Sequence, residues 1–265
     1  MHVFLRTKIL NLEGQEGDSL DLPDVFETPV RKDVINRVFV ALASHSKQPQ
    51  GRDPLAGERT SAESGHPPTG RGISRIPRVK GERYSRSGMA AAVASTVHGR
   101  LPHPPRSEKV IRKEINSKEK YLATASAIAA TADQSLVQKR GHKFSSQVPI
   151  VVSTELENIS KARDLKKFFA AVGADKDIER ASGRKKKVTS SLSRRSRPGV
   201  GPLIVVSKPS KLREASKAFP GVNVATSSSL SVLDLAPGSI PGRLTIWTKD
   251  SIDVISKNVQ NAGGI

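Results

Sequence analysis

Nine arginines stand between Lys47 and Arg106 (Arg52, Arg59, Arg71, Arg75, Arg78, Arg83, Arg86, Arg100 and Arg106), joined by Lys47 and Lys80 and opposed by only four acidic residues. The guanidinium fork grips a phosphate through two parallel N–H donors and stacks on a base, whereas a loop that only needed solubility would use lysine as readily. Gly70-Arg71-Gly72 lets the backbone come close to a phosphate ribbon while Arg75, Arg78, Arg83 and Arg86 reach to either side. A second tract, Arg180 to Arg197, holds eight basic residues and no acidic one, with Arg184, Lys185, Lys186 and Lys187 at its start and Arg194, Arg195 and Arg197 at its end. Such a run is usually a solvated charge face, and the first segment could be a disordered basic linker. Together the two segments hold most of the chain's formal charge of +19, leaving the remainder nearly neutral. That distribution is the footprint of a polyanion partner.

Other chemistry finds little support. The absence of cysteine removes disulfides, thiolate nucleophiles and cysteine-bearing metal sites. The six histidines show no ligand spacing; His98 and His103 lie five apart in proline-rich sequence, so no metal or other cofactor is expected. A nucleotide-binding sheet needs a glycine-rich turn after a strand, but Val151-Val152 runs into Ser-Thr-Glu-Leu-Glu and Val205-Val206 into Ser-Lys-Pro-Ser-Lys. No serine sits in a G-x-S-x-G elbow. No apolar run approaches the roughly 20 residues that span a bilayer, and Met1 to Leu10 lacks a signal-peptide core, so a cytosolic protein without a membrane partner is expected.

The elements that must carry these arginines read as follows. Residues 1–46 begin with short extended pieces at Val3 to Leu12 and Leu20 to Leu22. Thr28-Pro29 then opens a helix with Val30, Val34, Val38 and Leu42 on one face. From 47 to 106, eight prolines, eight glycines and one aromatic residue, Tyr84, leave no sustained period, so this segment is a functional extension or a disordered one. In residues 107–265, Asn116 and Glu119 suggest a capping box before an alanine-rich helix carrying Tyr121, Leu122, Ala125 and Ile128. Four β-branched runs follow, at Val148 to Val152, Leu203 to Val206, Val222 to Thr226 and Leu244 to Thr248. They are continuous rather than alternating, as in strands buried on both faces. Between or after them, Ser160 caps a helix ended by Gly173, and 211–219 and 250–259 are further helices. The expected class is therefore α/β: a mainly parallel, roughly four-stranded sheet flanked by helices, with a basic insertion at 180–197 in one crossover. The loop Leu235 to Trp247 holds two Pro-Gly turns and would present Arg243, and Lys249 beyond it, near a sheet edge, with Trp247 in the core.

Phe26-Glu-Thr-Pro-Val-Arg31, Gly51-Arg-Asp-Pro54, Arg59-Thr-Ser-Ala-Glu-Ser64, Gly70-Arg-Gly72, Arg100-Leu-Pro-His-Pro-Pro105, Ser126 to Ala132 and Leu235 to Thr248 stand in an order that resembles the archaeal form of the large-subunit ribosomal protein L-four family across nearly the whole chain. The resemblance implies a globular α/β domain and a long loop, at 47–106 here, threaded into large-subunit rRNA. His103 and Arg243 join the arginines above as implied RNA contacts. The loop tip, Ser64, Gly65, His66, Gly70, Arg71, Gly72, Ile73 and Ser74, would reach the wall of the peptide exit tunnel beside ribosomal protein L-twenty-two, within reach of nascent peptide. Locally the chain departs from the family: Gly65-His-Pro-Pro68 stands where Trp-Gly is common. Fully extended limbs of about 28 residues would reach on the order of 90 Å. The implied protein is a cytoplasmic, archaeal ribosomal component without catalysis. A non-ribosomal nucleic-acid chaperone and an RNA-modifying α/β enzyme are the alternatives.

Overall fold

The computed structural model describes residues 5–64, 70, 72–83, 85–183 and 199–261. In chain order these form β1 (Arg6–Leu10), β2 (Glu16–Asp21), α1 (Lys32–Ser44), β3 (Ala62–Glu63), β4 (Arg78–Val79), α2 (Ser117–Ala132), α3 (Gln134–Arg140), β5 (Ile150–Val152), α4 (Ala162–Val172), α5 (Asp175–Ser182), β6 (Leu203–Val206), α6 (Leu212–Ser216), β7 (Asn223–Thr226), α7 (Val232–Leu235), β8 (Thr245–Thr248) and α8 (Lys249–Asn261). The chain divides into two units, 1–44 with 113–265, and 45–112.

The first unit is built on a six-stranded sheet of order β2-β1-β5-β8-β6-β7. Every pairing is parallel except the β1–β2 hairpin. The apolar runs are continuous because alternate residues serve two cores. Val151, Leu203, Val205 and Trp247 pack with residues of α1, α2, α7 and α8. Ile150, Val152, Ile204, Val206 and Ile246 pack instead with Leu156 and with residues of α4 and α6. Helices therefore cover both faces, as a parallel sheet requires. Trp247 is fully buried, with Phe26 edge-on at 5.5 Å between ring centroids. In α4, Leu165, Phe168, Phe169 and Val172 fall on one face, and Gly173 in the left-handed region (φ 73°) ends the helix.

Several sequence expectations are corrected. The sheet has six strands, not about four, because β1 and β2 belong to it. β2 reads Glu-Gly-Asp-Ser-Leu-Asp and is exposed along most of its length, so it carries almost no apolar period to detect. Helix α1 starts at Lys32, and Thr28 instead closes a 3-10 turn at Asp24–Glu27. The Ser126 hydroxyl fixes the intervening segment by accepting from Arg31 N–H at 2.7 Å and donating to the Pro29 carbonyl at 2.8 Å. Asn116 precedes α2 without a side-chain cap, and Glu119 pairs with Arg37 at 3.0 Å rather than closing a box. Tyr121 is half exposed, while Ala123, Ala125, Ser126, Ala127, Ala129 and Ala130 are packed inside. Lys161, not Ser160, precedes α4. The expected helices at 211–219 and 250–259 are α6 and α8, one shorter and one longer than read.

Candidate nucleic-acid interface

Among the described residues of 45–112 no side chain is buried. What orders this unit is backbone pairing between its own limbs. β3 and β4 pair antiparallel, Ala62 with Val79 and Glu63 with Arg78, and Arg78 bridges Ala90. Val79 N–H donates to the Met89 carbonyl at 2.9 Å and Ala91 N–H to that of Pro77 at 3.0 Å. The limbs also meet at Gly57, where φ is +85° and a Cβ would lie 2.5 Å from the Gly99–Arg100 backbone. Only glycine accommodates both that conformation and that approach.

The arginines of this unit fall into two groups. Arg59 grips Asp53 through both terminal nitrogens (2.6 and 3.0 Å), Lys80 pairs with Glu63, Arg100 lies 3.9 Å from Glu58, and Arg78 donates to the Gly88 carbonyl at 2.9 Å. Except for half-buried Arg78, these groups stand in solvent, where an ion pair contributes at most about 1 kcal/mol, so a phosphate competes with the carboxylate on even terms. Arg52, Arg75, Arg83, Arg86 and Arg106 are exposed, and their side chains have no partner among the described residues. His103 is exposed as well. Of the tip, Ser64, Gly70, Gly72, Ile73 and Ser74 are exposed, while Gly65, His66 and Arg71 lie outside the described residues. Arg184, Lys185, Lys186, Lys187, Arg194, Arg195 and Arg197 likewise lie outside them.

Two basic residues of the first unit serve the fold instead. Arg243, expected to be presented to RNA, is 2% exposed. Its Nε donates to the Gly201 carbonyl at 2.9 Å, and its terminal nitrogens donate to the Asp234 carbonyl at 2.8 Å and to Asn223 Oδ1 at 2.7 Å. Burial, and secondarily the charge of Arg140, lowers its pKa to about 10. The Pro-Gly turns of 235–242 thus deliver a guanidinium under the strand ends rather than to solvent; Lys249 is exposed. Arg180, the first residue of the second basic tract, lies in α5 and donates to Asp177 Oδ1 at 2.9 Å and to the Val200 carbonyl at 2.6 Å. Asp177 also accepts from Lys143 N–H at 3.0 Å and from buried His142 Nδ1 at 2.9 Å. Burial holds the His142 pKa below its ordinary value despite that partner. For Asp177 burial acts upward, but the hydrogen bonds from His142 and Arg180 win and hold it low.

At the sheet's carboxyl edge, where α/β enzymes seat ligands, one carboxylate ties the ends of β6 and β8 together. The Glu157 carboxylate accepts from Ser207 N–H at 2.7 Å, Ser207 Oγ at 3.0 Å and Thr248 Oγ1 at 2.9 Å. The sequence that builds this fold has clear counterparts. The sequence profile of the ribosomal protein L4/L1 family matches residues 20–258. The chain belongs to the ribosomal protein L4/L1 family. The large ribosomal subunit protein uL4 of Sulfolobus acidocaldarius is 45% identical over 98% of this chain and 98% of its own length. Its counterpart in Methanopyrus kandleri is 41% identical over 96% and 99%, and that of Aeropyrum pernix 46% over 93% and 90%. Membership of the L4/L1 family makes this a ribosomal protein and not an enzyme, which removes the RNA-modifying alternative. No helix among the described residues is long and apolar enough to cross a membrane, and no group of metal-ligating side chains is found among them.

Two further basic residues of this L4/L1 member, Lys109 and Arg112, lie beyond the segment 47–106 that the sequence marks out. Both are exposed in the 45–112 unit and neither side chain has a partner among the described residues. The period-free sequence runs on beyond Arg106 to the start of α2 at Ser117 and includes both.

Proposed function

We propose that this ribosomal protein is a structural constituent of the large ribosomal subunit, in the cytoplasm, that binds and organises large-subunit rRNA through the 45–112 unit and the basic tract at 184–197. The observation that carries the reading is a unit in which, among the described residues, no side chain is buried and five exposed arginines have no side-chain partner. Ordering each residue's backbone costs roughly 1–2 kcal/mol, which limb-to-limb hydrogen bonds alone do not offset. Phosphate contacts supply the missing free energy, and RNA folding around the segment couples the ordering of both. Residues 64–74, by likeness to the family, form the tip at the wall of the peptide exit tunnel, beside ribosomal protein L-twenty-two and in reach of nascent peptide. Neighbouring large-subunit proteins complete the set of partners.

Sedimentation through a moderate-salt cushion tests the reading. The full chain is expected to travel with large subunits, and a chain with Arg52, Arg75, Arg83, Arg86 and Arg106 all changed to Gln to be released at lower salt. Equal retention of the two chains, or release of the unaltered chain as a free protein, contradicts it. The second outcome would favour a nucleic-acid chaperone that acts off the ribosome.

A further inference from the structure

The 45–112 unit contains a cleft of about 660 Å³ between its limbs. Val79, Met89, Ala90 and Val97 give it an apolar wall, and Arg59 and Arg86 stand among its lining residues. Met89 and Val97 are 57% and 85% exposed, so apolar surface at the cleft is open to a ligand. The wall is held in place before any ligand arrives. Val79 and Met89 are joined by the ladder bond already described, Gly88 N–H donates to the Val79 carbonyl at 3.0 Å, and Gly99 N–H closes the Thr96 turn at 3.0 Å. Gly99 is required there, since a Cβ would lie 1.9 Å from the Val93 carbonyl oxygen. His98, also in the lining, is held with φ at 59°.

We propose that this cleft receives a single unstacked nucleobase of the RNA that the unit binds. The proposal rests on the rRNA-binding reading and names a contact within it. A volume in the range of small-molecule sites, one apolar wall and cationic groups beside it match a flat ring attached to a phosphate. RNA-binding proteins commonly take bases out of the stack in loops and bulges and seat them against apolar or guanidinium surfaces. The Met89 thioether is polarisable and pairs well with an aromatic ring, and Val79 and Val97 cover the remaining face. The Arg86 side chain has no partner among the described residues and is free to hold the flanking phosphate, whereas Arg59 is steadied by Asp53. An apolar side chain of another protein would need the wall but not the arginines.

Met1 and Met89 are the only methionines in the chain, so replacing methionine with its diazirine analogue places a photoreactive group in the cleft and at one other known position. The labelled full chain is reconstituted into large subunits with rRNA and the remaining ribosomal proteins, irradiated, and mapped. The expected result is a crosslink to the base of one nucleotide that disappears with Met89→Leu, which keeps only Met1, and with Ala90→Trp or Ala91→Trp, which fill the cleft while the chain still enters the subunit. The unit has no core for these changes to disrupt. A Met89 crosslink to protein, a scatter of ribose crosslinks, or no crosslink in fully assembled subunits overturns the base pocket and leaves rRNA binding intact. Failure of the unaltered chain to enter subunits would instead bring down the rRNA-binding reading itself.

Discussion

Replacing Arg243 by Met removes a buried guanidinium and keeps most of the apolar stem. Three acceptors, the carbonyls of Gly201 and Asp234 and Asn223 Oδ1, then lose a donor at 2.7–2.9 Å, and no other donor is found for them among the described residues. The Gly221 carbonyl, also near Arg243 at 3.3 Å, keeps its bond from Gly201 N–H at 2.9 Å and is not orphaned. Asn223 is exposed, so its Oδ1 turns to water, whereas the Gly201 carbonyl is buried and that of Asp234 half-buried; at about 1–3 kcal/mol for each of these two, the loss is about 4 kcal/mol. For a unit of this size that corresponds to a midpoint roughly 8–16 °C lower in thermal unfolding followed by circular dichroism. Arg243→Lys restores the charge but not the fork, and is expected to recover less than half of the loss. Neither change alters the salt dependence of rRNA binding measured well below the midpoint. A midpoint lowered by less than about 3 °C, together with a flatter salt dependence, would refute the reasoning and return Arg243 to the RNA surface.

Changing Arg184, Lys185, Lys186 and Lys187 to Ala should reduce the slope of log affinity against log salt for rRNA by about 0.7–0.9 for each phosphate that the tract no longer neutralises, and an unchanged slope would mark the tract as a solvated face. Because burial depresses the His142 pKa, the unfolded chain binds more protons at that site, so stability should fall as pH drops from 6.5 towards the lower folded value; Asp177, also depressed, removes a second increment only below its unfolded value of 3.8. Urea titrations between pH 7.5 and 5 check this, and Asp177→Asn should cost several kcal/mol at neutral pH by stranding Arg180. Deleting residues 60–80 should leave the midpoint of the α/β unit within about 2 °C of the full chain, since no core residue is removed; a larger drop would show that the units share stability.

The sheet was legible where strands are buried on both faces. Leu203 to Val206 offers four consecutive apolar residues, and the strand observed has the same bounds. β2 was not legible because an exposed edge strand needs no apolar residues, and α7 was missed because its four residues hold too little pattern. The arginines at 47–106 stand out by type and density, and those without partners are exposed as a phosphate surface requires. Arg243 looks equivalent to them because sequence reports a guanidinium but not the ring of carbonyls that Gly201, Asp234 and their neighbours close around it. Arg180 is deceptive for the same reason: its partner Asp177 lies one helical turn earlier, just outside the basic tract. The apolar wall of the cleft draws on residues from Val79 to Val97, brought together by the bridge of Arg78 to Ala90 and the bonds beside it, and no apolar period in the sequence announces such a site.

The central claim is that the coreless 45–112 unit is completed by rRNA. An electron cryomicroscopy map of large subunits containing this chain tests it most directly. The account predicts ordered density for 45–112 enclosed by rRNA, with Arg52, Arg75, Arg83, Arg86 and Arg106 on phosphates or bases and residues 64–74 at the tunnel wall. Density for the unit on the solvent surface, with those five arginines facing water, would contradict it.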